Sequence, residues 1–186
     1  EEPESEEKYE WMTRSYYGIT NAYLFLDDTL SISYADSTIA ASHHTTDPHL
    51  IQRSYSIKYY CLYFDPNAAE ELNLLADSCI RFSLLAQDTD ILAESDMHKC
   101  NALVELGQVD AGDSYCQQAE ALFKSVGDDN YLMMMYNNIA NVFTKSAHWD
   151  KAIGYYQKSY DLAVEMGSLS GVVDASQNLG DWHFNA

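Results

Sequence analysis

The sequence predicts an all-α chain of antiparallel helical hairpins stacked side by side, on three observations. Apolar residues recur at three- and four-residue spacing through most of the chain, the period of one helix face. Only 3 prolines and 8 glycines interrupt 186 residues, too few breaks for a loop-rich or all-β chain. The sequence also overlays itself after a shift of about forty. Asp110, Tyr115, Gln117, Leu122 and Gly127 fall on the identical Asp150, Tyr155, Gln157, Leu162 and Gly167, and Ala35-Asp36-Ser37-Thr38-Ile39 returns as Ala76-Asp77-Ser78-Cys79-Ile80. A repeat of that length, read as helix–turn–helix, cannot bury its apolar face alone, so its copies must stack.

Residues 1–8 carry a run of Glu and read as a disordered acidic leader. The rest, 9–186, reads as a single repeat domain with hairpins over about 9–44, 49–87, 90–127 and 129–167 and a final helix over 168–185. Trp11, Tyr16, Ile19, Tyr23 and Leu26 anchor the first helix, and Asp27-Asp28 breaks it. Thr45, Thr46 and Asp47 are caps for the third helix. Pro66 is placed to open the fourth. Gly107, Gly127 and Gly167 end later ones.

The best-kept copy is Tyr136–Met166. Tyr136, Ile139, Ala140 and Phe143 share one helix face, a break follows at Ser146-Ala147-His148, and Trp149, Ala152, Ile153, Tyr156, Tyr160 and Ala163 line a second. Small residues against large aromatics are what close packing of two antiparallel helices needs. The pattern resembles the tetratricopeptide repeat, whose signature runs Leu-Gly, Tyr, Ala, Phe; Ile139-Ala140, Phe143, Ala152 and Tyr156 stand in those slots. The resemblance is strongest over 91–183 and weak before residue 66. It implies a right-handed α-solenoid. The repeat is longer than the family's roughly 34 residues, and Gly127 and Gly167 replace its closing Pro. Such long repeats resemble those of bacterial regulators and sensor proteins of the Bacteroidetes type.

The formal charge is -19, from 29 acidic and 10 basic residues. It repels phosphate backbones, so nucleic acid is not expected as a direct partner. No apolar run approaches the roughly 18 residues of a membrane helix, so this segment is not expected to insert in a membrane. The chain starts without Met and stops inside a helical pattern, which points to a piece of something longer; a periplasmic or extracytoplasmic sensor piece is favoured over a cytoplasmic one. Cys61, Cys79, Cys100 and Cys116 fall on apolar faces and read as small buried hydrophobes. A hairpin could also bring Cys100 and Cys116 face to face in a disulfide.

No nucleophile elbow, phosphate-cradling glycine loop or zinc-protease motif is present. An enzyme is not expected, nor is a metal or cofactor. His43, His44 and His49 with Asp47 are the most ligand-like set, but they spread over a helix end, a loop and a helix start and read as a polar loop. His98, His148 and His183 are isolated, and His183, in a slot where the tetratricopeptide family has Tyr, reads as a packed side chain. Met133, Met134 and Met135 cannot share one helix face, so at least one is exposed, and an exposed Met suits an adaptable binding surface.

In the family this chain resembles, the first helix of each hairpin lines a concave groove that takes a peptide. Register then nominates Met97, Asn101 and Val104, then Met134, Asn137, Asn141 and Lys145, then Asp174, Gln177 and Asp181 as groove-facing. Asn101, Asn141 and Asp181 form a ladder, and an amide offers a peptide unit both donor and acceptor. Lys145 alone is basic, so capture of a C-terminal carboxylate is not expected. The function read here is a non-enzymatic protein- or peptide-binding repeat domain, the regulatory or sensory part of a larger bacterial signalling protein. The alternatives are a small-ligand sensor domain, with a closed apolar pocket between hairpins, and a self-association scaffold that forms a homodimer through the last helix.

Overall fold

The computed structural model describes residues 5–185, and side chains as far as residue 180. Among the described residues the chain is a run of α-helices: α1 Glu6–Tyr23, α2 Asp28–Ser42, α3 Pro48–Leu62, α4 Ala69–Ala86, α5 Thr89–Glu105, α6 Val109–Val126, α7 Asp129–Lys145, α8 Trp149–Glu165 and α9 Leu169–Asn185. They pack into two compact units, Glu1–Lys99 and Cys100–Ala186, with α5 contributing to both. Among the described residues no helix is long and apolar enough to cross a membrane.

The breaks follow a rule the sequence half reveals. Backbone in the left-handed region recurs every twenty residues, at Gln87, Gly107, Gly127, Ala147 and Gly167, with φ between 55° and 79°. One such residue closes a helix without a steric penalty only when it is glycine, so the three glycines were legible as stops and Gln87 and Ala147 were not. At the helix starts, Asp27, Asp47 and Asp128 accept hydrogen bonds from first-turn N–H groups. Pro48 follows its cap as the first helical residue. Pro66 does not: it lies in a turn that Asp65 closes by accepting from Asn67 N–H at 2.9 Å, and α4 begins only at Ala69.

The first unit pairs α1 with α2 and α3 with α4, and sets α3 against both α1 and α2. Ile57, Tyr59, Leu72, Leu75, Ala76 and Cys79 are buried in it. Residues 6–8, expected in the acidic leader, belong to the first turn of α1. Ser5 caps α1, and the Glu6 carboxylate accepts from both the N–H and the hydroxyl of Thr46 at 2.6 Å, which ties the first turn of α1 to the α2–α3 connection. Residues 1–4 lie outside the described residues. Trp11 and Leu26, expected as anchors, are exposed, and the buried face of α1 carries Thr13 and Thr20 instead. Both hydroxyls donate to the carbonyl four residues back, so burial leaves them satisfied.

The second unit packs α7 against α6 and α8, and α8 against α9. Ile139, Ala140, Phe143, Ala152, Tyr155, Tyr156 and Ala163 are buried there, as the repeat pattern requires, whereas Trp149 is exposed. Cys100 and Cys116 form a disulfide, with Cα atoms 5.2 Å apart, and tie α5 to α6. Simple packing therefore describes only the other two thiols, Cys79 buried and Cys61 half-buried. Beside the disulfide, a Cβ on Gly112 would sit 2.7 Å from Val104 Cγ2 and 3.0 Å from the Cys100 carbonyl oxygen, so α5 and α6 approach closely only because this residue has no side chain.

Candidate functional site

Helix α7 has two faces. Leu132, Met135, Tyr136, Ile139, Ala140 and Phe143 are buried at three- and four-residue steps. The other side exposes Tyr131, Met134, Asn141 and Lys145. The methionine run divides as consecutive helical positions must: Met135 is buried, Met133 half-buried, and Met134 is 56% exposed. A Cβ on Gly171 would run into the Met133 sulfur, so the first turn of α9 lies against Met133; Asp174 and Gln177, further along α9, are exposed.

One ion pair joins the ends of α5 and α7. Lys145 Nζ stands 4.0 Å from Glu105 Oε1, so the last turns of α5 and α7 are neighbours. Burial pushes the Glu105 carboxyl up, and the Lys145 charge opposes that shift. Asn101 and Asn141, each one turn earlier, are therefore level, yet they differ. Asn141 is exposed, and its Oδ1 accepts from the Tyr156 hydroxyl at 2.6 Å. Asn101 is only 2% exposed, and its Oδ1 has no donor; the Asn137 Oδ1 is likewise buried without one. Met97 and Val104 are buried as well.

These placements correct the groove expected along α5. Every residue from Ser95 to Val104 is buried, so Met97, Asn101 and Val104 present no outward face. Outward-facing candidates remain on α7 and α9: Met134, Asn141, Lys145, Asp174 and Gln177. The side chains of Asp181, His183 and Phe184 lie outside the described residues. Tyr131, three residues before Met134, belongs to the same exposed face; the spacing alone could have found it.

Polar clusters elsewhere look more like catalytic sets than they are. His98, fully buried on α5, stacks on Tyr59 with ring centres 4.0 Å apart. Its Nε2 lies 3.2 Å from Ser56 Oγ and 3.7 Å from Glu94 Oε1, while Nδ1 has no partner. In a serine–histidine–acid relay the hydroxyl and the acid must meet opposite ring nitrogens; here both meet the same one. Burial lowers the His98 pKa against the pull of Glu94, which favours a neutral ring. Glu120 accepts from Lys124 and Lys158, both at 2.7 Å, and from Tyr136 at 3.0 Å. Burial works against its charge, but these donors outweigh it and hold the carboxyl below its ordinary value. With Lys151 on Asp113 at 2.7 Å, they form an ion-pair seam between α6 and α8.

The histidines near the α2–α3 connection go separate ways. His43 Nε2 lies 2.9 Å from the Tyr55 hydroxyl, His44 stacks on Tyr9, and His49 stands 3.6 Å from Asp88. Among the described residues no group of three or more His, Cys, Asp or Glu could hold a metal ion.

Helical hairpins at a forty-residue period, small residues against aromatics and left-handed closures describe a tetratricopeptide-like helical repeat fold. Residues 92–164 match the family described as Tetratricopeptide repeat. No curated protein matches the chain. Among solved structures, the apo form of RapI is similar with a TM-score of 0.72 at 16% identity, over 89% of this chain and 60% of that one. Aspartyl phosphate phosphatase F from Bacillus subtilis gives 0.73 at 14% identity, over 94% and 45%. A signal transduction ATPase with numerous domains from Pyrococcus horikoshii, with a tetratricopeptide repeat sensor, gives 0.70 at 19%, over 90% and 26%. At these identities the likeness is one of fold. This chain spans less than two thirds of the length of each of these three proteins.

Proposed function

We propose that this chain is a non-catalytic binding module that receives a protein or peptide segment along the outward face of α7 and α9, as the regulatory or sensory part of a larger bacterial signalling protein. The observation that carries the reading is the exposed strip Tyr131–Met134–Asn141–Lys145 on a helix whose other face is fully used by the core. Met134 and Tyr131 offer apolar surface, and Met adapts to varied side chains. The Asn141 oxygen is engaged by Tyr156, so its amide NH2 is the group it offers to a peptide carbonyl. Tetratricopeptide-like folds commonly serve as interaction scaffolds, and the similar structures include a protein named for a tetratricopeptide repeat sensor.

Peptides selected by display on the wild-type chain test this. Met134→Ser with Asn141→Ala should weaken them at least about tenfold while the thermal melt stays put; unchanged affinity would sink the reading. Self-association through α9 is a second reading, favoured by Leu169, 82% exposed, and exposed Val173 one turn on. Monomeric sedimentation at every concentration would dispose of it.

A further inference from the structure

The chain carries 4 cysteines and 6 methionines, all among the described residues. Only one of these sulfur side chains is exposed, and it is Met134, on the α7 strip. Its two chain neighbours are shielded. Met135 lies in the core, and Met133 is half-buried, with its sulfur where a Cβ on Gly171 would stand. Met97 is buried, and Met12 and Met166 are half-buried. The cysteines do not compete for an oxidant. A thiolate is normally the first group a peroxide attacks. Cys100 and Cys116 are already joined to each other. Burial pushes the Cys61 and Cys79 thiols up, so both stay protonated at neutral pH. Net charge selects the reagent: -19 repels anionic oxidants, whereas neutral hydrogen peroxide approaches freely.

We propose that Met134 is an oxidation site that switches this surface, which accepts a peptide segment as the thioether and releases it as the sulfoxide. The inference rests on the binding reading above and names its regulation. The Met134 sulfur attacks one peroxide oxygen, so an S–O bond forms as the O–O bond breaks. The sulfur gives up two electrons, and the departing hydroxide takes the proton of the transferred oxygen and leaves as water. In the reverse direction, two thiols of a sulfoxide reductase remove that oxygen as water and end as a disulfide. The product replaces an apolar, deformable side chain by one with a strong acceptor oxygen. An apolar peptide side chain laid over it would strip that oxygen of water without supplying a donor. Because Met134 faces solvent while Met135 fills the core, the change acts on the surface and leaves the packing intact.

The intact chain, treated with dilute hydrogen peroxide under native conditions and then with catalase, tests this. Mass spectrometry of its fragments should find the first added oxygen on Met134, ahead of Met12, Met133 and Met166. The display-selected peptides, chosen without Met or Cys, should then bind at least about tenfold more weakly. Methionine sulfoxide reductase with a dithiol should restore them, with the unoxidised chain given the same reduction as reference. Met134→Leu, whatever affinity it starts from, should show no change on peroxide treatment. First oxidation at another sulfur, undiminished binding by the sulfoxide, or an equal loss in peroxide-treated Met134→Leu would each overturn the inference. The two readings fail separately. Peptides that stay bound to Met134→Ser with Asn141→Ala sink the binding site itself, whereas loss there beside an unaffected sulfoxide sinks only the switch. Matching melts before and after peroxide check that the fold is intact.

Discussion

Asp96 shows what a single residue can hide. The sequence places it on a helix among polar neighbours, but its side chain is 5% exposed, and burial pushes its carboxyl from 3.8 up to about 6. A carboxyl whose folded pKa exceeds its unfolded one binds more protons in the native state, so stability falls as pH rises between these two values. Asp96→Asn removes the buried charge. The variant should be more stable than wild type by on the order of 2 kcal/mol above about pH 7, with the difference vanishing below about pH 4; urea denaturation across pH measures it. His98 acts in the opposite sense: its lowered pKa costs stability as pH falls through the ordinary value of 6.5 and below. Neither buried group was legible in the sequence, because burial of a polar side chain is decided by how many neighbours surround its helix. The same reason separates Asn101 from Asn141, identical residues in identical register with opposite exposure.

At the scale of the helix and its turn, Ala147 takes the left-handed closing position that glycine holds at 107, 127 and 167. Ala147→Gly should raise stability by roughly 0.5–1 kcal/mol, since the backbone strain of the Cβ exceeds the entropy glycine adds to the unfolded chain. A lowered melting temperature would show that the turn is not strained. Where α5 meets α6, Gly112→Ala forces a Cβ against Val104 and the Cys100 carbonyl, and should cost about 1–3 kcal/mol. The disulfide beside it closes a loop with a sequence separation of 16, for which chain entropy gives roughly 3 kcal/mol. Under denaturing, non-reducing conditions only Cys61 and Cys79 should take up an alkylating reagent, and Cys100→Ala with Cys116→Ala should lower the urea midpoint. Helix positions and the core faces of α7 and α8 were open to sequence reasoning. Pro66 and Trp149 were misjudged because capping geometry and solvent exposure depend on where the neighbouring element turns back.

For the molecule as a whole, charge dominates. Lys58, Lys99, Lys124, Lys151 and Lys158 are already held in ion pairs between or along helices, and the 29 acidic residues outnumber the 10 basic ones almost threefold. Self-repulsion at -19 should exceed what those pairs lose to screening. The melting temperature should therefore rise by several degrees between about 0.02 and about 0.5 M NaCl. A fall would mean that the seam of Asp113, Glu120, Lys151 and Lys158 contributes more than net charge removes.

The sequence by itself determined the helices, their pairing into hairpins and the repeat of about forty, because these depend on local periodicity and on breaks a few residues long. It also determined that one of three consecutive methionines faces water, which is helix geometry alone. Tertiary structure decided which repeats keep an open face. It buried α5 from Ser95 to Val104, left Met134, Asn141 and Lys145 exposed on α7, and joined Cys100 to Cys116. The physical reason is that exposure belongs to a helix's surroundings, and a repeat written with one register packs differently according to the neighbours on either side of it.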